Sequence, residues 1–205
     1  MDREKCTRYA DELQKFVMDH TSDVLKQPRS FIRYPFIDPG SVYDGNVWDW
    51  DTYWPEPYLN MKHKEGVLMN MHKPFLCSQI VLISEYINDY SWCERYFDNL
   101  EKYFECYDRN YYFEHCGLYV WCDDIMIGMD NDPATFGRPK FSTANIFLNS
   151  FLCVELEAME KICGVFGRED RTGHYREKRE KLVEAIQREC WDPGDRFFYS
   201  ADVDI

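Results

Sequence analysis

Long apolar runs are missing from this 205-residue chain. The longest, FLCSQIVLI at 75–83, is interrupted by Ser78 and Gln79 and falls well short of a membrane span. The opening MDREKCTRYADELQKF is charged throughout and has no h-region, so a secretory signal is excluded there. Basic residues are scarce as well: 24 Lys and Arg stand against 37 Asp and Glu, for a formal net charge of −13. Such a chain repels phosphate backbones, and neither nucleic acid nor membrane is expected as a partner. The 9 cysteines are odd in number and follow no repeated or zinc-ribbon spacing. They read as reduced, buried thiols in a cytoplasmic protein rather than a disulfide framework. Histidine numbers only 5, and His115-Cys116 with Cys122 is a weak metal signal. Asp130-Asn131-Asp132 lacks the later Gly and Glu of a calcium loop, so neither metal nor cofactor is expected.

What the chain has instead is aromatic side chains, 17% of its residues. Periodicity predicts an all-α protein. One helix covers 4–25 on Cys6, Tyr9, Leu13, Phe16, Val17 and Val24. A second begins at Pro74, as a first-turn proline, and runs through Ile87. A third covers about 91–107, on Trp92, Tyr96, Leu100 and Phe104. A fourth starts near Ser142, capped by Ser142 or Thr143, with a stripe of Ala144, Phe147, Phe151, Val154, Ala158 and Ile162. The last covers roughly 170–190 on Tyr175, Leu182, Val183, Ile186 and Cys190. Two long irregular stretches, 28–60 and 108–140, separate them, and connections of that length inside a helical protein tend to be functional. The alternation Ala201, Asp202, Val203, Asp204, Ile205 is a strand signature with no evident partner, which suggests a chain cut short.

Both irregular stretches are chemically unusual. NVWDWDTYWPEPY, 46–58, packs Trp48, Trp50, Tyr53 and Trp54 between Asp49 and Asp51, with Tyr43 just before. Rings stack on the C–H face of a pyranose while carboxylates take its hydroxyl rim. An aromatic plug over helix ends is the plainer alternative. GLYVWCDDIMIGMDNDPATFGRP, 117–139, gathers Asp123, Asp124, Asp130 and Asp132. Crowded carboxyls raise one another's pKa, and Trp121 or Phe136 would add desolvation, so one could stay protonated as a general acid. A solvated acidic turn is the alternative.

Trp50-Asp51-Thr52-Tyr53-Trp54 resembles the W-D-S/T-Y-W signature of trehalases. Gly128-Met129-Asp130-Asn131 resembles the segment carrying the general acid in trehalases and in glycoside hydrolase family 63, including its mannosylglycerate hydrolase-like branch. Lys73-Pro74-Phe75 stands where those families often have Gln-Pro-Pro. The resemblance covers about residues 30–200 and implies an (α/α)6 toroid, of which this chain holds about half: at roughly 11 residues per helix plus connections, twelve helices need a longer sequence. It implies hydrolysis of an α-linked gluco- or manno-configured glycoside with inversion. Asp130 would be the acid; Trp50 and Asp51, with Tyr43, Trp48, Tyr53, Trp54, Lys73, Trp121, Asn131 and Arg138, would hold the carbohydrate. Lys73 departs from the usual glutamine and suits a carboxylate on the aglycone. The general base has no candidate before residue 205, and the later tryptophan-rich trehalase signature is absent. A non-catalytic helical carbohydrate-binding protein is the alternative, and a sugar epimerase or lyase a weaker one.

Overall fold

The computed structural model describes residues 3–28, 36–37, 73–122 and 132–203. It divides into two compact units, Met1–Tyr53 and Trp54–Ile205. The first contains helix α1 (Arg3–Val24) and a short antiparallel pair, β1 (Leu25–Lys26) with β2 (Phe36–Ile37). Helix α1 forms where its periodicity predicts, but Tyr9, Leu13 and Phe16 of its apolar stripe are exposed; Phe16 stacks on His20 at 4.2 Å between ring centres.

The second unit is built from helices joined by two-residue strands. Helix α2 (Leu76–Ile87) starts after Phe75, so Pro74 stands just before the helix rather than in its first turn. It ends on Asn88 in the left-handed region (φ 53), which lets the Asn88 N–H reach back to Glu85 and closes the helix end. The single helix expected over 91–107 is two: α3 (Ser91–Glu94) and α4 (Phe97–Tyr111), broken at Arg95-Tyr96. Helix α4 then turns into a hairpin, β3 (Tyr112–Phe113) with β4 (Leu118–Tyr119), inside what the sequence suggests is loop. Gly117 at φ 73 makes that turn, and any Cβ there would stand 3.2 Å from the Ala185 Cβ. After β5 (Thr143–Ala144) come the two longest helices of this unit, α5 (Ile146–Val165) and α6 (Glu169–Glu189). A second helix-then-hairpin follows, β6 (Trp191–Asp192) with β7 (Phe197–Phe198). Strand β8 (Ala201–Asp202) pairs antiparallel with β5, so the terminal strand does have a partner. Among the described residues no helix is long and apolar enough to cross a membrane.

The core lies between α2, α4, α5 and α6. Helix α5 packs along α6 and against α2. Phe104 of α4 meets Tyr175 of α6 at 5.2 Å, and Phe97 carries the Arg168 guanidinium over its ring at 3.8 Å. The inward face of α5 is Leu148, Asn149, Leu152, Glu155, Leu156, Ala158, Met159, Ile162 and Cys163. The stripe expected from hydropathy is therefore only partly in phase: Ala144, Ala158 and Ile162 are buried, but Phe147 and Val154 are 44% and 51% exposed. Two polar residues, Asn149 and Glu155, occupy core positions instead. The described cysteines are free thiols, most of them buried. All-α hairpins of this kind are consistent with a fragment of an (α/α)6 toroid.

Candidate active site

The acidic stretch is framed by the first turn of α5. Asn145 is the N-cap: its Oδ1 accepts the Phe147 N–H at 2.8 Å. The cap is thus neither Ser142 nor Thr143, because Thr143 is drawn into β5 by its pairing with Asp202. The other half of the Asn145 amide donates to Asp132 Oδ2 at 2.8 Å. Asp132 Oδ1 accepts the Ala134 N–H at 3.0 Å, and the Asp132 carbonyl accepts from Thr135 and Phe136. The Asp132-Pro133 corner is therefore fixed by its own turn and by the helix.

One turn further along α5, Asn149 does the same for the other flank. Its Oδ1 accepts the Tyr119 N–H at 2.8 Å, and its Nδ2 donates to the Tyr119 carbonyl at 2.9 Å and to the Asn145 carbonyl at 2.9 Å. The side chain thus pairs with β4 as a neighbouring strand would. The chain continues through Trp121 to Cys122, whose carbonyl accepts the Phe141 N–H at 3.0 Å. Tyr119 is itself pinned by its hydroxyl, which donates to Asp108 at 2.7 Å; burial, then the Asp108 carboxylate, push its phenol far above the ordinary range.

Glu155 sits near the middle of α5 and is fully buried. Its carboxylate receives the N–H groups of Cys77 (2.7 Å) and Ser78 (2.8 Å) and the Ser78 hydroxyl (2.6 Å). It therefore closes the N-terminus of α2, where Phe75 supplies no side-chain cap. Desolvation raises its pKa, against the lowering by Ser78 and Cys77. Burial and then Glu155 push the neighbouring Cys77 thiol up, so that thiol stays neutral.

Of the residues proposed for sugar contact, Lys73 is buried immediately before α2 and Trp121 is buried after β4. The Trp121 indole N–H has no hydrogen-bond partner among the described residues. Arg138 is ion-paired with Asp202 at the β5–β8 edge, so its guanidinium is committed within the fold. Phe136, offered as a desolvating neighbour, is 58% exposed. Tyr43, Trp48, Trp50, Asp51, Tyr53, Trp54, Asp130 and Asn131 lie outside the described residues. Two open clefts lie elsewhere. One, between α2, α5 and α6, is lined by Glu160 with Arg176 and Arg179, which pair with one another; the other is lined by Asp108 with Lys178, also a pair. Asn145, Asn149 and Glu155 are the structurally decisive polar residues that pattern reading misses, and their only sequence signal is polarity at core spacing.

The helical hairpins place the second unit in the all-α class. Residues 69–204 match the mannosylglycerate hydrolase MGH1-like glycoside hydrolase domain, and the chain belongs to that family. A solved structure titled "Sialidase" superposes with a TM-score of 0.54 at 19% identity, over 62% of this chain, and shares its fold. This chain spans only 12% of the length of that one. No curated protein matches.

Proposed function

We propose that this chain supplies the acid-bearing part of an inverting glycoside hydrolase acting on α-linked gluco- or manno-configured glycosides. The observation that carries the reading is the family match over 69–204, which encloses Gly128-Met129-Asp130-Asn131. Asp130 protonates the leaving oxygen as the bond to the anomeric carbon breaks. Trp50 stacks on the sugar and Asp51 binds its hydroxyls, with Tyr43, Trp48, Tyr53, Trp54, Trp121 and Asn131 completing the contact surface. Lys73 pairs with a carboxylate on the aglycone, as a glycerate would provide. The carboxylate that activates water comes from sequence beyond residue 205, with 1–205 forming the N-terminal part of one catalytic domain. Free thiols support a reducing, cytoplasmic setting.

The test uses the full-length protein with mannosylglycerate, glucosylglycerate, trehalose and aryl α-glycosides. Asp130→Asn lowers turnover by about 10²–10⁴-fold, the usual contribution of a general acid. Proton NMR of the first product shows the β-anomer. Retained turnover in Asp130→Asn removes the acid assignment; sugar binding without turnover in the wild type favours the binding-protein reading.

A further inference from the structure

We propose that Asn145 and Asn149 are positioning residues for the general acid, an inference that rests on Asp130 being that acid. They stand at i and i+4 on α5, one turn apart, both fully buried. Asn149 holds both backbone groups of Tyr119, three residues before Cys122, where the described chain leaves for Asp130. Asn145 holds Asp132, where it returns, two residues after Asp130. Helix capping alone does not account for this arrangement. A cap needs only the Asn145 Oδ1, which Phe147 occupies; the Nδ2 is free to be spent on Asp132, and it is. Likewise Asn149 spends its whole amide on Tyr119 and on Asn145 rather than on packing. Both stems of the acid-bearing stretch are thereby referenced to one helical turn. A general acid needs such a reference, since it must reach the leaving oxygen within hydrogen-bond distance.

The experiment isolates proton donation from folding by leaving group. Mannosylglycerate (or glucosylglycerate, whichever the enzyme turns over) expels an alkoxide that needs the proton. The matching α-glycosyl fluoride expels fluoride, which needs far less. Two substitutions cut the Asp132–Asn145 bond, one with a smaller side chain and one with an isosteric one. Asn145→Ser keeps a cap acceptor but is too short to reach Asp132. Asp132→Asn keeps one acceptor for the Ala134 N–H and sets an NH2 against the Asn145 NH2. Each lowers kcat on the glycerate substrate on the order of 10²-fold, the scale of a 1 Å misplacement, with KM and the fluoride rate little changed. The double exchange Asp132→Asn/Asn145→Asp reverses the polarity of the bond and retains the cap, and it recovers most of the loss. Parallel loss on both substrates, or no recovery in the exchange, overturns the proposal. Asp130→Asn run alongside separates the two readings: if it too fails to discriminate the substrates, the acid assignment is at fault, and if it alone discriminates, the positioning role is. A wild type that turns over neither substrate class overturns both.

Discussion

Removing the Glu155 carboxylate should destabilise the protein through the start of α2 rather than through lost core volume alone. In Glu155→Ala the Ser78 hydroxyl keeps an acceptor, because it also donates to the Phe75 carbonyl at 3.1 Å. The Cys77 and Ser78 N–H groups lose theirs, and Cys77 is fully buried. Each unsatisfied buried donor costs about 1–3 kcal/mol, giving roughly 2–6 kcal/mol for the pair. Ser78 is only half-buried, so water can reach its N–H, which draws the figure toward about 3–4 kcal/mol. For a chain of this size that lowers Tm by roughly 10 °C. Glu155→Gln keeps the shape and one acceptor oxygen but points an NH2 at a donor, and should lose roughly half as much. Thermal melts followed by circular dichroism measure both. Amide exchange at Cys77 and Ser78 then locates the damage, since those two protons should lose protection before the middle of α2. A Glu155→Ala variant melting within about 2 °C of wild type would refute the capping argument, because the fully buried Cys77 N–H would then have lost its acceptor without cost.

Glu155 also gives a pH signature. Its folded-state pKa is raised above 4.5, so the stability tied to its proton is fully present below the ordinary value and is lost as pH rises through the folded one. The Tm advantage of wild type over Glu155→Gln should shrink across that window and then level off; an advantage growing with pH refutes the raised pKa. Along α5, Leu156→Ala should cost about 3 kcal/mol as a core cavity, whereas Val154→Ala, half exposed, should stay within roughly 0.5 kcal/mol in urea melts. Equal losses would put the phase of the helix in error. Gly117→Ala forces a left-handed φ on alanine and drives its Cβ toward Ala185, so about 1–2 kcal/mol should be lost in the same assay.

Helices α1 and α6 were legible because their polar and apolar residues alternate with helical period and their ends carry ordinary signals. Helix α5 is legible as an element but only partly in phase. Hydropathy sends Asn149 and Glu155 outward, while the structure buries both because each meets a complete set of backbone partners on another element. That pairing exists only after β4 and α2 have docked, so no local window contains it. The two hairpins are hidden in the sequence for a different reason. Strands of two residues, such as Tyr112–Phe113 and Trp191–Asp192, are too short to show alternation, and their aromatic residues pass for helix continuations. The terminal strand was recognised, but its partner β5 lies before both of the long helices. Of the proposed site, the acidic and aromatic stretches stood out by composition and motif, and the anchors flanking Asp130 did not.

The polar face of α5 explains why this helix tolerates what looks like poor core design. Asparagine and glutamate in a core are costly only when unpaired. Here Asn145 and Asn149 hold Asp132 and Tyr119, on either side of 123–131 in the chain, and Glu155 fixes the entry to α2 just after Lys73. β4, Asp132 and the start of α2 are thus all tied to one buried helix. Substituting apolar residues of equal volume at these positions would satisfy hydropathy but remove the side-chain partners of the Tyr119 backbone groups, of Asp132 Oδ2 and of the Cys77 N–H. The prediction that follows is an ordering: Asn149→Leu should be more damaging to stability than Leu152→Ala, because it strands both a backbone donor and a backbone acceptor where Leu152→Ala only opens a cavity. Paired urea melts measure the order, and a Leu152→Ala loss exceeding that of Asn149→Leu would show that packing, not polar anchoring, dominates on this face.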